Sequence, residues 1–197
     1  MEALKNYIDN TWTASANLST VKVLNPATQE LLAEVPIGSA SARDMDQAIK
    51  SGHQAHLEWK KVPVMRRVQP LFKLKRLMDE NLEDLAQTIT LESGKTLEES
   101  KGELMRAIEN IETACGTPML MQSEFSEDIA SGVDEFMIRQ ALGVTACIAP
   151  FNFPAMITFW FLPYAIACGN AMVVKPSEKV PLTMIKIFHL IDQLDLP

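Results

Sequence analysis

From Gln140 to Val174 the chain carries no Asp, Glu, Lys, Arg or His, and no other feature limits its fold so tightly. A stretch of this kind is a membrane span, a buried core or the wall of a site. A spanning helix needs about 20 uninterrupted apolar residues. Here Gly143, Pro150, Pro154, Pro163 and Gly169 cut the run into pieces of about a dozen residues or fewer. Proline lacks a backbone donor and its ring blocks the preceding turn, so the pieces read as buried strands and a short helix. The stretch is core. Within it, Asn152 stands between two phenylalanines in "APFNFP".

The remaining composition narrows the function classes. With 47% hydrophobic and 22% charged residues, the 197-residue chain has the balance of a folded globular protein. A net charge of −7 offers no global positive field to draw phosphates, which argues against a nucleic-acid or anionic-membrane partner. Basic residues do cluster from Lys60 to Arg76, as Lys60, Lys61, Arg66, Arg67, Lys73, Lys75 and Arg76. Because Val64, Val68, Leu71 and Phe72 recur there at helical spacing, the bases are expected on the wet face of an amphipathic helix rather than in a phosphate patch. Cys115, Cys147 and Cys168 show no CxxC spacing, which implies no disulfide framework or zinc site and fits a reducing, cytoplasmic compartment. His53 and His56 are expected to be surface histidines, with no further ligand nearby to make a metal site. The N-terminus has neither a basic start nor a long apolar run, so no signal peptide is expected.

Along the chain, residues up to about Pro36 read as extended, around an Asn-Pro turn. From Ser41 the pattern turns helical, with Ser41 as N-cap and Asp44 in the first turn. Pro63 suits the start of a second helix and Gly94 the end of a third. Thr96 and Glu99 form a capping-box pattern for a fourth, whose apolar face carries Leu97, Leu104, Ile108 and Ile111. The last third reads as two extended runs divided at Leu142-Gly143. The second, over 144–149, has the uncharged character of a strand buried on both faces. A loop, a helix from about Ala155 to Cys168, a second buried strand "AMVVK", a turn and an amphipathic helix follow. Strand–helix–strand–helix of these lengths is a βαβα unit of a parallel sheet, so the fold class is α/β.

In parallel sheets, ligands bind beyond the carboxyl ends of strands. "APFNFP" and "KPSEK" occupy that position here. Asn152 either aims an amide donor at a developing oxyanion or only closes its turn through its side chain. Lys175 and Glu178, the first charges after the long neutral run, either grip a ribose diol or form a surface ion pair. Local spacing alone favours the plainer alternative for both.

"GVTACIAPFNFP", "AIACGNAMVVKPSEKVPL", "NPATQELLAEVP" and "TLESGKTLEESKGELMRAIENIE" together resemble the aldehyde dehydrogenase superfamily, closest to its CoA-acylating methylmalonate-semialdehyde branch. The resemblance covers essentially the whole chain in order. It implies the N-terminal part of that fold: helices, the start of a parallel Rossmann-like sheet and a β oligomerisation element. It divides the chain into β segments and the helical part of the cofactor-binding domain (1–130), the oligomerisation element (131–142) and the first βαβα unit of the NAD-binding domain (143–197), with the catalytic domain absent. It gives Asn152 the oxyanion-hole role. Ile148, Ala149, Pro150 and Phe151 would line the NAD cleft, and Lys175, Ser177, Glu178 and Lys179 would hold the adenosine ribose. Arg106 matches an arginine that binds the substrate carboxylate in this branch, a task suited to its bidentate fork. Glu103 and Glu109 could instead pair with it on a helix surface.

The resemblance further implies a small aldehyde substrate, NAD as oxidant, CoA as a possible acyl acceptor and a homo-oligomer, dimer or tetramer, in the full-length form. The family's nucleophilic cysteine, in a GQxC-type segment, lies beyond residue 197. Cys115, Cys147 and Cys168 are expected to be structural, and the chain alone to be inactive. Two functions remain open: oxidation of malonate or methylmalonate semialdehyde as part of an enzyme, or a non-catalytic nucleotide-binding or assembly fragment.

Overall fold

The computed structural model describes residues 3–16, 19–37 and 41–197. The extended N-terminal part is two antiparallel hairpins. Strands β1 (Asn6–Ile8) and β2 (Thr11–Thr13) are joined by Asp9 and Asn10 at φ 54° and 52°. These side chains tolerate the left-handed backbone that a tight two-residue hairpin needs. Strands β3 (Thr20–Leu24) and β4 (Leu31–Pro36) pair across the Asn-Pro turn. There the Asn25 side chain accepts from the backbone N–H groups of Ala27 (2.9 Å) and Thr28 (3.3 Å).

Six helices follow: α1 (Ser41–Trp59), α2 (Val64–Arg67), α3 (Gln69–Glu80), α4 (Leu82–Ser93), α5 (Leu97–Cys115) and α6 (Thr117–Leu120). The backbone of Ser41 opens α1, and its side chain, on which the expected capping rests, lies outside what the structure describes. Asp44 in the first turn accepts from Asn6 Nδ2 at 3.1 Å, tying the first hairpin to α1. Pro63 immediately precedes α2, and Gly94 ends α4 in the left-handed region at φ 78°. The capping box on α5 is complete: Glu99 N–H donates to Thr96 Oγ1 (3.2 Å) and Thr96 N–H to Glu99 Oε2 (3.0 Å). Leu104, Ile108 and Ile111 are buried as expected, but Leu97 is exposed, because α5 enters the core only from Ser100 onward.

Strands β5 (Glu124–Ala130) and β6 (Val133–Met137) form an exposed antiparallel hairpin. Then come β7 (Val144–Ile148), α7 (Met156–Phe159), α8 (Leu162–Cys168), β8 (Ala171–Lys175) and α9 (Leu182–Ile191). β7 and β8 are parallel, in register from Val144↔Ala171 to Ile148↔Lys175. The core is helical: Leu71, Leu74, Met78, Leu85, Ile89, Leu104, Ile111, Phe159, Met184 and Ile187 are buried in one cluster. Among the described residues no helix is long and apolar enough to cross a membrane.

Four further expectations are corrected. The helix from Ala155 to Cys168 is two pieces, because Pro163 sits in the first turn of α8, where it opens a helix but cannot continue one. β7 is not buried on both faces. On the face shared by Val144, Ala146 and Ile148, α1 covers the amino end, where a Cβ on Gly52 would stand 3.4 Å from that of Ala171. The carboxyl end stays bare, and Ile148 is 77% exposed. Arg67 leaves the wet face expected of the basic cluster, and Phe72 leaves the apolar one: Arg67 is 6% exposed and Phe72 lies at the surface. His56 is buried, not a surface residue.

Arg67 and His56 are inside for a shared reason. The last carbonyls of a helix have no intrahelical donor. At the end of α8, Trp59 Nε1 donates to Ile166 O (2.8 Å), Arg67 Nε to Ala167 O (2.8 Å), and His56 Nδ1 meets Gly169 O at 2.9 Å. Arg67 Nη1 also donates to Val62 O at 3.0 Å. Burial pulls the guanidinium pKa below its usual range, while the negative end of α8 favours a cation there. Gly169, at φ 89°, turns the chain into β8, and a Cβ on it would meet Arg67 Nη1 at 3.0 Å.

Arg67→Met should therefore strand buried carbonyls and lower stability by about 2–4 kcal/mol in urea unfolding. A loss below about 0.5 kcal/mol, the range of ordinary surface changes, would contradict this docking role.

Candidate functional site

Because β7 and β8 run in the same direction and in register, the loops that leave them start at one rim of the sheet. The ladder continues one residue further, with Ala149 N–H donating to Lys175 O at 3.1 Å. The loops then touch through side chains: Lys179 Nζ lies 4.7 Å from the centroid of the Phe151 ring. Such a cation over an aromatic face contributes about 0.5–1 kcal/mol at an exposed site.

In the first loop, Pro150, Phe151 and Asn152 are exposed, while Ala149 and Pro154 are buried. Among the described residues the Asn152 amide has no hydrogen-bond partner, so it does not close its own turn and its donors stay free. Phe153 is half-buried beneath Lys95, whose Nζ lies 4.1 Å from the ring centroid. In the second loop, Lys175 Nζ and Glu178 Oε2 are 3.3 Å apart and solvent-exposed. A backbone hydrogen bond, then Lys175, holds the Glu178 carboxyl below the usual carboxylate range. Ser177 is buried, and its Oγ accepts from Lys179 N–H at 3.3 Å.

The helices that follow these loops, α7 and α9, have no side-chain cap of their own. Carboxylates from the helical layer supply the missing acceptors. Glu103 on α5 accepts from Ala155 N–H (2.8 Å) and Met156 N–H (3.2 Å), and pairs with Lys95. Glu92 on α4 accepts from Leu182 N–H (2.6 Å), Thr183 N–H (3.0 Å) and the Thr183 hydroxyl. Sequence reasoning missed Lys95 and Glu92 and took Glu103 only as a surface partner for Arg106. The readable signal was helical spacing, which sets Glu103 among Ser100, Leu104 and Ala107 on the buried face of α5.

Arg106 lies on the exposed side of α5, and among the described residues no hydrogen bond or ion pair joins its side chain to either loop. Burial raises the thiol pKa of Cys115, Cys147 and Cys168 above the usual range. A thiol in that state is a poor nucleophile, because the thiolate is the attacking form. Among the described residues no cluster of His, Cys, Asp and Glu could hold a metal ion.

Residues 12–197 match the aldehyde dehydrogenase family. The chain belongs to that family. It is 45% identical over 196 residues to malonate-semialdehyde dehydrogenase 2 of Geobacillus thermodenitrificans (strain NG80-2), covering 100% of this chain and 40% of that protein. It superimposes with a TM-score of 0.94 and 36% identity on a methylmalonate-semialdehyde dehydrogenase from Sinorhizobium meliloti 1021 complexed with NAD. A methylmalonate-semialdehyde dehydrogenase from Oceanimonas doudoroffii gives a TM-score of 0.94 at 35% identity. In both structures the match covers 100% of this chain and 40% of the other. This aldehyde dehydrogenase chain thus spans about two-fifths of the length of the relatives it matches. The resemblance to an oxidoreductase family and to its semialdehyde branch is borne out. The rim of its α/β sheet brings Ile148, Ala149, Pro150, Phe151 and Asn152 beside Lys175, Ser177, Glu178 and Lys179.

Burial raises the Glu92 pKa from 4.5 to about 7, outweighing the hydrogen bonds that favour its anion. A raised pKa means that the folded chain holds a proton the unfolded chain has released. The stabilisation is full below pH 4.5 and is lost as pH rises towards 7. Glu92→Gln is expected to remove about 3 kcal/mol of this pH dependence. Urea titrations of both forms at pH 4.5 and pH 7.5 check it; parallel pH profiles would refute it.

Proposed function

We propose that this chain forms the cofactor-binding and oxyanion-stabilising part of an NAD-dependent aldehyde dehydrogenase. Its substrate is a small carboxylate-bearing aldehyde, malonate or methylmalonate semialdehyde, and its product the acyl-CoA. The observation that carries the reading is the meeting of two loops at one sheet rim, one with an unengaged amide donor and the other with a lysine–glutamate pair. Residues 143–197 then form the first part of the NAD-binding domain. The names of the relatives, and NAD in the Sinorhizobium meliloti structure, support the choice of substrate and cofactor.

The rim residues fit a dinucleotide. Glu178 accepts from a ribose diol while Lys175 donates to it, and Ile148 and Phe151 offer bare apolar surface beside them. Ser177 and Lys179 hold the second loop's shape through the turn and the Phe151 contact. Ala149 and Pro150 bring backbone to the cleft. A carboxylate at Glu178 repels a 2′-phosphate, which favours NAD over its phosphorylated form. Bound NAD supplies the hydride acceptor.

Asn152 donates its amide N–H to the aldehyde oxygen as negative charge builds on it, a contribution that grows towards the transition state. The Arg106 guanidinium takes the substrate carboxylate through two parallel hydrogen bonds. Cys115, Cys147 and Cys168 stay protonated and take no part in attack. The attacking thiolate is assigned to the part of the relatives' length that this chain does not span.

A second reading, as an assembly module, has its own observation. The β5–β6 hairpin is exposed along its length, and Phe136 on it is 68% exposed. Bare aromatic surface of this kind marks an interaction site. The hairpin is the proposed contact in a cytoplasmic homodimer or homotetramer, and this role is compatible with the enzymatic one.

Two experiments test the enzymatic reading. Calorimetric titration of the 197-residue chain with NAD should detect binding, and Glu178→Ala should weaken it by about tenfold. Equal affinity in both forms would remove Glu178 from the cleft. The second uses a chimera in which this chain replaces the matching part of the Geobacillus thermodenitrificans relative, followed by NADH absorbance with malonate semialdehyde and CoA. There Asn152→Ala should lower kcat by about 100-fold or more. Arg106→Leu should raise KM for acidic aldehydes far more than for neutral ones; an equal rise for both would exclude a carboxylate contact.

A further inference from the structure

Both phenylalanines that flank Asn152 lie under a lysine ammonium, but the two lysines are held differently. Lys179, over Phe151, projects from an exposed loop. Lys95, over Phe153, is locked to Glu103, whose side chain is only 1% exposed. The other oxygen of that carboxylate accepts the two N–H groups that follow Pro154, at 2.8 Å and 3.2 Å. One buried charge on α5 therefore grips the first loop twice: through a cation on the Phe153 ring and through the backbone of Ala155 and Met156.

The local sequence cannot do this itself. Residues 152–155 are Asn-Phe-Pro-Ala, α7 has only 4 residues, and no side chain next to it caps its first turn. A helix so short is not stable alone, and its unsatisfied N–H groups need an acceptor. Glu103 supplies it from 52 residues away in the chain. The carboxylate has the same need, since a buried charge persists only when paired and hydrogen-bonded. Removing either partner thus frees the loop on the side where Asn152 sits.

We propose that Glu103, acting with Lys95, is the positioning residue for Asn152, setting the direction in which its amide points from the sheet rim. The proposal rests on the oxyanion reading of Asn152. Glu92 bears the same relation to the second loop through Leu182 and Thr183, which provides an internal control.

The test is amide NMR on the 197-residue chain. In Glu103→Gln, hydrogen exchange at Ala155 and Met156 should rise by about tenfold or more, the scale of a lost hydrogen bond to a charged group. The side-chain amide resonances of Asn152 should shift with it, while the β7–β8 ladder keeps its protection. Lys95→Met, which takes the cation from Glu103 but leaves its carboxylate, should shift the Asn152 amide and the Phe153 ring and raise exchange at Ala155 and Met156 less than Glu103→Gln does. Glu92→Gln should affect Leu182 and Thr183 and spare Asn152. Exchange that rises evenly across the chain in Glu103→Gln would reduce Glu103 to a general stabiliser and overturn the proposal. So would unmoved Asn152 resonances in both Glu103→Gln and Lys95→Met, the second variant deciding the matter if the first fails to fold. Failure of the oxyanion reading is seen separately, as unchanged turnover of the Asn152→Ala chimera, and leaves these amide readouts standing.

Discussion

The parallel, in-register pairing of β7 and β8 is the constraint on which the rest of the molecule depends. Parallel strands place their carboxyl ends on the same side, so two loops separated by two helices and a strand in the chain become neighbours at one rim. An antiparallel pairing of the same residues would send "PFNFP" and "PSEK" to opposite rims. With the parallel one, Ala149 bonds to the Lys175 carbonyl and Lys179 reaches the Phe151 ring.

That pairing is held by groups that lie away from the rim. Trp59, Arg67 and His56 take the carbonyls at the end of α8, which places Gly169 and so the entry to β8. Asn170 then accepts the backbone N–H groups of Leu142 (2.6 Å) and Gly143 (2.9 Å), joining the entries of the two strands. At the opposite ends, Glu103 and Glu92 receive the helices that follow the loops. Apart from half-buried Asn170, these polar groups are buried and satisfy backbone at the ends of short helices, and the surrounding apolar core makes a loss of such bonds costly. The α1–α5 layer is therefore the support of the two rim loops as well as part of the core of the fold.

Much of this was legible in the chain. The breakers in the neutral run ruled out a membrane helix, the capping box at Thr96–Glu99 located α5, and Gly94 and Gly169 marked the ends of α4 and α8. The strand ends were legible too, and with them the start of the loops that carry Asn152 and Lys175–Glu178. The misread residues share a cause. Arg67 and His56 looked like surface residues because charge and polarity usually face water. Their partners, the carbonyls of Ala167 and Gly169, are about a hundred residues away and have no side-chain signature. β5 was missed because its charged, exposed residues lack the apolar alternation of a half-buried strand. Glu103 was read as a helix-surface partner for Arg106 because spacing on one helix shows what neighbours it, not what packs above it.

By itself, then, the sequence determined the local elements, the βαβα order and the chemical character of the two loops, since periodicity, proline and glycine act over a few residues. Tertiary structure alone decided which polar groups would be buried and what they would hold. Backbone N–H and carbonyl groups are the same at every position, and which of them lacks a partner is settled only when distant helices pack.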